Sequence, residues 1–251
     1  MNLSNVIKYR VWPILSSVRG GVLRLLPTAH FLDKMRDDWD ARARKNARYY
    51  IATGQESWTD DEFYASGEET VARYILTDMV DICRGRDPKT MRVVEIGCGA
   101  GRITRALAGI FGEVHAVDVS GEMVRLAREG LQAFPNAFVY QNNGRDLSVI
   151  SGGRFDFAFS FLVFQHIALG SVVESYVREV HRLLRPGALF KFQVNGKKPW
   201  IVRPEDTWYG VSFSDRQVVR MAQRCGFELR YRVGENEAEF WVWYFKPPDR
   251  A

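Results

Sequence analysis

Residues 93–102 constrain the fold of this chain more than any other part of its sequence. An apolar run ending in Glu95 and Ile96 is followed by three alternating glycines, Gly97, Gly99 and Gly101. Glycine has no Cβ, so the main chain can take positive φ angles and a ligand can approach it closely. Apolar residues then recur at helical spacing. The segment predicts a strand, a tight turn and a helix whose free N–H groups face a ligand.

A second apolar strand, residues 114–117, ends at Asp118, about 20 residues after the first glycine. An acid at this position can accept hydrogen bonds from both hydroxyls of a ribose. Dinucleotide-binding turns space their glycines G-x-G-x-x-G, whereas here every second residue is glycine. The turn is therefore poorly suited to a pyrophosphate.

The pattern Glu95-x-Gly97-x-Gly99-x-Gly101 resembles the first motif of the class I S-adenosylmethionine-dependent methyltransferases. The resemblance extends over residues 66–247 and includes further motifs in the order of that family. It implies an α/β fold, a Rossmann-like doubly wound sheet of seven strands with an antiparallel last strand, and S-adenosyl-L-methionine as cofactor. The later motifs are the strand 138–141, the turn 143–147, the fourth strand and helix start 155–167, the helix and Pro-Gly turn 179–189, the helix end 222–227, and the closing strands 227–233 and 240–245.

The resemblance also implies which residues contact the cofactor. Asn143 would accept a hydrogen bond from the exocyclic amine of the adenine, and the N–H of Gly144 would donate to its ring. Cys98, inside the glycine turn, is interpreted as a small packing residue rather than a reactive thiol. The complete expected set is Glu95, Gly97, Cys98, Gly99, Gly101, Arg102, Asp118, Val119, Met123, Asn143, Gly144, Arg145 and Phe161.

The implied reaction is displacement at the sulfonium methyl group by a nucleophile of the acceptor, so positioning alone can supply much of the catalysis. A base is required only where the acceptor is a hydroxyl or another protonated group. His166 is the candidate, because the segment after the fourth strand borders the methyl group in the family and imidazole titrates near neutral pH. A structural hydrogen bond is the alternative role for this histidine.

Two segments with many aromatic residues are expected to form the acceptor pocket. The insertion at 195–214 carries Trp200, Trp208 and Tyr209, whose flat apolar faces suit a ring, a sugar face or a lipid head. A lid packed by its own aromatic residues is the alternative reading of this segment. Helix 33–51 resembles the cap that many family members fold over the cofactor, and its end carries Tyr49 and Tyr50. These residues, with Gln165, form the expected acceptor set.

The first 65 residues are expected to form an N-terminal amphipathic helix and cap, followed by the methyltransferase domain over residues 66–251. Positions 1–50 contain ten Lys and Arg against four Asp, a net charge of +6, so the other 201 residues carry −1 and are nearly neutral. Residues 1–27 combine this charge with an apolar helical stripe. Such a segment can pack on the enzyme body, contact a second subunit or lie peripherally on an anionic membrane, with disorder as the remaining alternative.

Composition narrows the function further. No apolar run reaches the length of about 18 residues that a membrane span needs, and three distant cysteines do not suggest a disulfide framework. We therefore expect a cytoplasmic protein, without a metal site and without nucleic acid as partner. The expected activity is O- or N-methylation of a small molecule. Protein or RNA methylation, and cofactor binding without catalysis, are the alternatives.

Overall fold

The computed structural model describes residues 28–197 and 207–248. Seven strands form its centre: β1 (Arg92–Ile96), β2 (Glu113–Asp118), β3 (Ala137–Gln141), β4 (Phe155–Ser160), β5 (Leu184–Val194), β6 (Glu228–Val233) and β7 (Phe240–Phe245). They make one sheet in the order β3-β2-β1-β4-β5-β7-β6. Strands β1 to β5 pair in parallel, whereas β7 runs antiparallel to β5 and β6. The predicted doubly wound sheet with its antiparallel last strand is confirmed.

Helices cover both faces of this sheet. The α-helices of the described ranges are α1 (Thr28–Ile51), α2 (Asp60–Tyr74), α3 (Met79–Cys83), α4 (Arg102–Ile110), α5 (Gly121–Gly130), α6 (Gly170–Leu183) and α7 (Asp215–Cys225). Short 3₁₀ turns lie at Leu76–Asp78, Pro88–Thr90 and Phe164–His166. No helix in the described ranges is long and apolar enough to cross a membrane.

Local sequence signals set several helix ends. Thr59 and Glu62 form a capping box at the start of α2, and the hydroxyl of Ser120 accepts a hydrogen bond from the N–H of Met123 at the start of α5. Helix α7 ends at Gly226, which takes a left-handed conformation. Such caps satisfy main-chain groups that the helix itself leaves without partners.

The cap helix α1 begins earlier than expected, at Thr28, and is kinked near its end. Asn46 has φ −170° and ψ 84° inside the helix. Its side-chain amide donates to the carbonyl of Glu56 (2.9 Å), and its Oδ1 accepts from the N–H of Tyr49 (3.2 Å). Asn46 thus caps the last turn of α1 from within, as asparagine does at helix starts. The kink directs Tyr50 and Ile51 towards the ends of the strands.

Two features differ from the sequence-based expectation. Pro186 and Gly187 lie inside β5, where the pairing with β4 shifts register, rather than in a turn before the strand. A proline is tolerated at such an irregularity because the ladder is already interrupted there. The expected domain boundary at residues 65 and 66 falls within helix α2. Residues 1–27, for which an amphipathic helix was predicted, lie outside the described residues.

The sheet topology places a crevice at the carboxyl ends of the strands. Strand β1 continues through α4 to β2 on one side, whereas its other neighbour, β4, continues through α6 to β5 on the opposite side. Ligands of doubly wound sheets bind where the connections diverge in this way. Helix α1 lies over this edge and contacts α5. The candidate site therefore lies between α1 and the carboxyl ends of β1, β2 and β4.

Candidate active site

The glycine turn leaves β1 at the crevice and is fixed to β2. The N–H groups of Gly97 and Cys98 both donate to the carbonyl of Val117, at 2.8 and 3.0 Å. Gly97 has φ +75°, and a Cβ built on it would lie 2.2 Å from Cγ2 of Val163. A side chain fits neither this conformation nor this space, so the position requires glycine. The turn forms a wall made of main chain.

Asp118, at the end of β2, is held by main-chain donors. Its Oδ2 accepts from the N–H of Gly99 and its Oδ1 from the N–H of Ser120, both at 2.9 Å. Burial raises the pKa of this carboxyl, and the hydrogen bonds from these N–H groups oppose the rise. A carboxylate oxygen has a second acceptor direction beyond the one used here. Asp118 can therefore accept two hydroxyl groups of a ligand.

Two buried charged residues lie beneath the turn. Glu95 is 2% exposed, and its Oε2 accepts from the hydroxyl of Thr104 at 2.6 Å. Burial raises the pKa of Glu95 to about 7, against the hydrogen bond from Thr104 and the nearby charge of Arg102. Arg102 donates through Nη1 to the carbonyl of Ser66 (2.8 Å) and the hydroxyl of Thr70 (2.9 Å). These bonds tie the turn to helix α2.

The remaining donor of Arg102 suggests an anionic ligand. Its Nε is buried and has no hydrogen-bond partner among the described residues. A buried donor without a partner costs about 1–3 kcal/mol, more where it is charged. A ligand carboxylate would satisfy it, and Arg102 is part of the cavity wall. This donor, the glycine turn and Asp118 together fit a ligand with a carboxylate, a flexible chain and a ribose.

The thiol of Cys98 is buried, and its Sγ contacts the carbonyl of Gly99 at 3.6 Å. Burial raises the pKa of this thiol well above its ordinary value. A protonated buried thiol is a poor nucleophile. These observations agree with a packing role for the residue.

The turn after β3 corrects one part of the expectation. Asn143 is exposed, and its Oδ1 accepts from the N–H groups of Arg145 and Asp146, so the side chain closes its own turn. Asn142 is 8% exposed and lines the cavity instead. Gly144 is buried beside Asn142 but does not line the cavity. Nδ2 of Asn142 donates to the hydroxyl of Tyr176 (2.7 Å) and its Oδ1 accepts from the N–H of Gly144 (3.3 Å), which leaves Oδ1 one further acceptor direction for an adenine amine.

Helix α1 is attached above the crevice by polar contacts at two points. Oδ1 of Asp40 accepts from the hydroxyl of Ser120 (2.5 Å) and the N–H of Glu122 (3.1 Å), directly beside Asp118. At the second point, the hydroxyl of Thr207 accepts from Nη1 of Arg42 (2.8 Å) and donates to Oδ2 of Asp38 (2.9 Å). The helix is thus fixed to the β2–α5 turn and to the segment after β5.

Aromatic rings form the wall opposite the glycine turn. The ring of His166 lies 5.1 Å from that of Trp39 and 5.0 Å from that of Trp208, between centroids. Tyr50 packs edge to face on Trp208 at 5.9 Å. The guanidinium of Arg42 covers both tryptophans, at 4.8 and 5.5 Å from their ring centroids. We call Trp39, Tyr50, His166 and Trp208 the aromatic side, and Glu95, Gly97, Gly99, Arg102 and Asp118 the glycine-turn side.

Both sides line one cavity of about 210 Å³. It brings together thirteen of the expected residues: Tyr50, Glu95, Gly97, Cys98, Gly99, Arg102, Asp118, Val119, Met123, Phe161, Gln165, His166 and Trp208. Six expected residues do not line it: Tyr49, Gly101, Asn143, Gly144, Arg145 and Tyr209. Trp200 lies outside the described residues.

Gly101 and Tyr209 lie outside the cavity lining. Gly101 is the left-handed residue that starts α4, and a Cβ there would meet Leu131 and Ala127 of the neighbouring helix region. Tyr209 is 48% exposed. The described residues contain no group of three or more His, Cys, Asp or Glu that could hold a metal ion.

The cavity also includes residues that sequence reasoning did not select. Helix α1 contributes Met35 and Trp39, which are four residues apart and are followed four residues later by the buried Ala43. Residues four apart lie on one face of a helix. This spacing in the sequence indicates which face of α1 covers the site.

Comparison with known proteins identifies the class of this fold. The fold is similar to that of magnesium protoporphyrin IX methyltransferase from Synechocystis PCC 6803 with bound S-adenosylmethionine, with a TM-score of 0.60 at 16% identity over 86% of this chain and 97% of that one. Residues 94–192 match the family described as a methyltransferase domain. These matches, together with the motifs of the sequence, support a class I S-adenosylmethionine-dependent methyltransferase.

Two curated relatives match parts of the chain. Ubiquinone biosynthesis O-methyltransferase of Xanthomonas oryzae is 29% identical over 38% of this chain, and the match spans 39% of that protein. The dTDP-3-amino-3,6-dideoxy-alpha-D-glucopyranose N,N-dimethyltransferase of Streptomyces fradiae is 24% identical over 64% of this chain and 57% of that protein. One relative is named for transfer to oxygen and the other for transfer to nitrogen.

Proposed function

We propose that this protein transfers a methyl group from S-adenosyl-L-methionine to an oxygen or nitrogen of a small-molecule acceptor. The observation that carries the proposal is the single cavity in which the glycine-turn side faces the aromatic side. One side fits the cofactor and the other offers apolar walls to an acceptor. Both ligands can therefore meet within this cavity.

The glycine-turn side would hold the cofactor through three kinds of contact. Asp118 would accept from the ribose hydroxyls, Arg102 would donate to the carboxylate, and Asn142 would hydrogen-bond the adenine. When bound, S-adenosylmethionine supplies an electrophilic methyl group on its sulfonium. The contribution of the chain is to fix the ligand, exclude water and orient the acceptor.

The aromatic side supports an acceptor with a flat apolar part. Trp39 and Trp208 lie 6.1 Å apart with their planes 32° from parallel, and Tyr50 packs edge to face on Trp208. Helix α1 covers the cavity, which favours a small molecule over a polymer. The names of the relatives support the same choice. His166 lies among these rings and is the candidate proton acceptor for a hydroxyl or ammonium group.

Calorimetric titration tests the cofactor half of the proposal. S-Adenosylhomocysteine should bind, and NAD should not. Replacement of Asp118 by alanine removes charge-assisted hydrogen bonds, so affinity for S-adenosylhomocysteine should fall by roughly 2–4 kcal/mol. Asp81→Ala, at an exposed position on α3, is the matched control. A change below twofold in Asp118→Ala, or saturable NAD binding, would contradict the assignment.

The acceptor half is tested with cofactor carrying a labelled methyl group. The protein is incubated with fractionated cell extract, and label should enter the small-molecule fraction. Label in protein or RNA would identify the polymer-modifying alternative. Binding of S-adenosylhomocysteine without label in any fraction would favour a cofactor-binding protein that does not catalyse transfer.

A further inference from the structure

The ring of His166 is anchored by a main-chain carbonyl. Its Nδ1 lies 2.6 Å from the carbonyl oxygen of Trp208, and the residue is only 7% exposed. A carbonyl oxygen can only accept, so Nδ1 must carry a hydrogen in this contact. The charge state of the ring then depends on what faces Nε2.

The group that faces Nε2 is set by a glutamine in the sheet. Gln193, on β5, is completely buried, and its Oε1 accepts from the N–H of Leu162 at 3.1 Å. Its Nε2 lies 2.9 Å from the carbonyl of Val194, 3.0 Å from that of Ala238 and 3.1 Å from Oε1 of Gln165. Main-chain groups thus fix which end of the Gln193 amide is the donor. Gln165 must therefore present its oxygen to Gln193.

It follows that Gln165 presents its NH₂ group to the histidine. Nε2 of Gln165 lies 3.2 Å from Nε2 of His166. A donor at this place opposes a proton on Nε2, because two N–H groups would then face each other. We propose that Gln193, acting through Gln165, is a positioning residue that keeps His166 neutral, with its hydrogen on Nδ1 and its lone pair on Nε2 in the cavity.

The arrangement gives His166 one proton-accepting atom. This step rests on the proposed function: a hydroxyl or ammonium acceptor would donate to Nε2 in place of the Gln165 amide. Its X–H bond would break, the N–H bond would form on Nε2, and the resulting imidazolium would later release the proton to water.

Charged and titratable groups from three directions surround the ring. Arg42 covers both flanking indoles, and the hydroxyl of Thr207 links it to Asp38. Their charges are opposite in sign, so the field of each partly offsets that of the other. The groups to be considered in any pH profile are Lys34, Asp38, Arg42 and Tyr50 of α1, Glu95 and Asp118 at the strand ends, and Tyr176 of α6.

Nitrogen-15 spectra of the histidine rings test the proposal in the full chain without cofactor or acceptor. The chain has four histidines, and the signal that disappears in His166→Ala assigns this one. His166 should be neutral at pH 7 with its hydrogen on Nδ1. A hydrogen on Nε2 of the neutral ring would overturn the proposal.

Substitutions of the two glutamines separate positioning from simple packing. In Gln165→Glu one carboxylate oxygen can still accept from Gln193 while the other faces Nε2, so the pKa of His166 should rise by about one unit or more. Gln165→Met, which removes the donor without adding an acceptor, should raise it less. Gln193→Met, which frees the Gln165 amide to turn, should also raise it. An unchanged pKa in Gln165→Glu would overturn the proposal.

These spectra do not depend on methyl transfer. Failure of S-adenosylhomocysteine to bind would refute the proposed function while leaving the ring tautomer measurable. Conversely, a normal cofactor titration with the wrong tautomer would refute only the positioning role. With a working acceptor, the acidic limb of the kcat profile in Gln165→Glu should move to higher pH, because more of the ring is protonated at a given pH.

Discussion

The two sides of the cavity are built in different ways. On the glycine-turn side the main chain makes the wall, and Asp118 is oriented by the N–H groups of Gly99 and Ser120. On the aromatic side the wall consists of side chains, from α1, from the turn after β4 and from the segment after β5. The glycine-turn side comes from two neighbouring strands within residues 95–118, and the aromatic side from residues between 39 and 208. Substitutions should therefore act differently on the two sides.

The largest effect is expected from adding a single Cβ to the glycine turn. Gly97→Ala would place a methyl group 2.2 Å from Cγ2 of Val163 at a φ of +75°. The left-handed conformation alone costs about 1–2 kcal/mol, and the turn must also move. Affinity for S-adenosylhomocysteine should fall by about 100-fold or more, equivalent to roughly 2.7 kcal/mol. Calorimetry together with thermal unfolding measures both effects.

Gly109→Ala is the matched control. Gly109 lies in α4, and a Cβ built on it meets nothing within 4 Å. The substitution should leave affinity unchanged and increase the free energy of unfolding by roughly 0.5–1 kcal/mol. Equal cofactor affinity in Gly97→Ala and Gly109→Ala would show that the turn does not form the binding wall.

The same difference explains which residues of the site could be predicted from the sequence and which could not. The glycine turn and Asp118 were predictable because local backbone requirements restrict the residues at those positions. At residues 142 and 143 two asparagines follow β3, and the pattern did not show which one faces the cavity. That choice depends on β3 pairing: the N–H of Asn142 donates to the carbonyl of Asp118, while Asn143 closes the next turn. Neighbouring residues in an extended strand point to opposite sides, so an error of one residue reverses the assignment.

The aromatic side could be predicted only in part. His166 and Trp208 are 42 positions apart, and their hydrogen bond requires the β4 turn and the segment after β5 to meet. No local pattern encodes that meeting. Gln193 was not selected, because a glutamine on a central strand carries no motif, and its effect on the histidine acts through Gln165. Tertiary contacts between distant segments decide such roles.

A second substitution sharpens the assignment of the cofactor within the glycine-turn side. In Arg102→Lys the ammonium can still bond the carbonyl of Ser66 and the hydroxyl of Thr70, but the donor at Nε is lost. If Nε meets the carboxylate of the cofactor, affinity for S-adenosylhomocysteine should fall by about tenfold or more, because a charge-assisted hydrogen bond contributes roughly 1.5–3 kcal/mol. Methylthioadenosine, which lacks the amino-acid part, should bind both proteins equally. Equal losses for both ligands would instead indicate a displaced helix α2.

The smallest effect on cofactor affinity is expected from Thr207, which joins the segment after β5 to helix α1. Thr207→Val preserves shape but removes the hydroxyl that accepts from Arg42 and donates to Asp38. Since Thr207 is 7% exposed, losing these bonds should lower the free energy of unfolding by about 1–3 kcal/mol. Affinity for S-adenosylhomocysteine should change by less than about twofold, because the glycine-turn side keeps its own contacts.

Denaturant unfolding and calorimetry on the same samples measure the two quantities. Thr77→Val, at an exposed position whose hydroxyl donates to the carbonyl of Arg73, is the matched control and should change neither appreciably. Asp40 joins α1 to Ser120, next to Asp118, so a route exists by which loosening the helix could reach the cofactor side. A tenfold loss of affinity in Thr207→Val would mean that α1 transmits the change along this route. Cofactor affinity would then depend on contacts of both sides of the cavity, and not on those of the glycine-turn side alone.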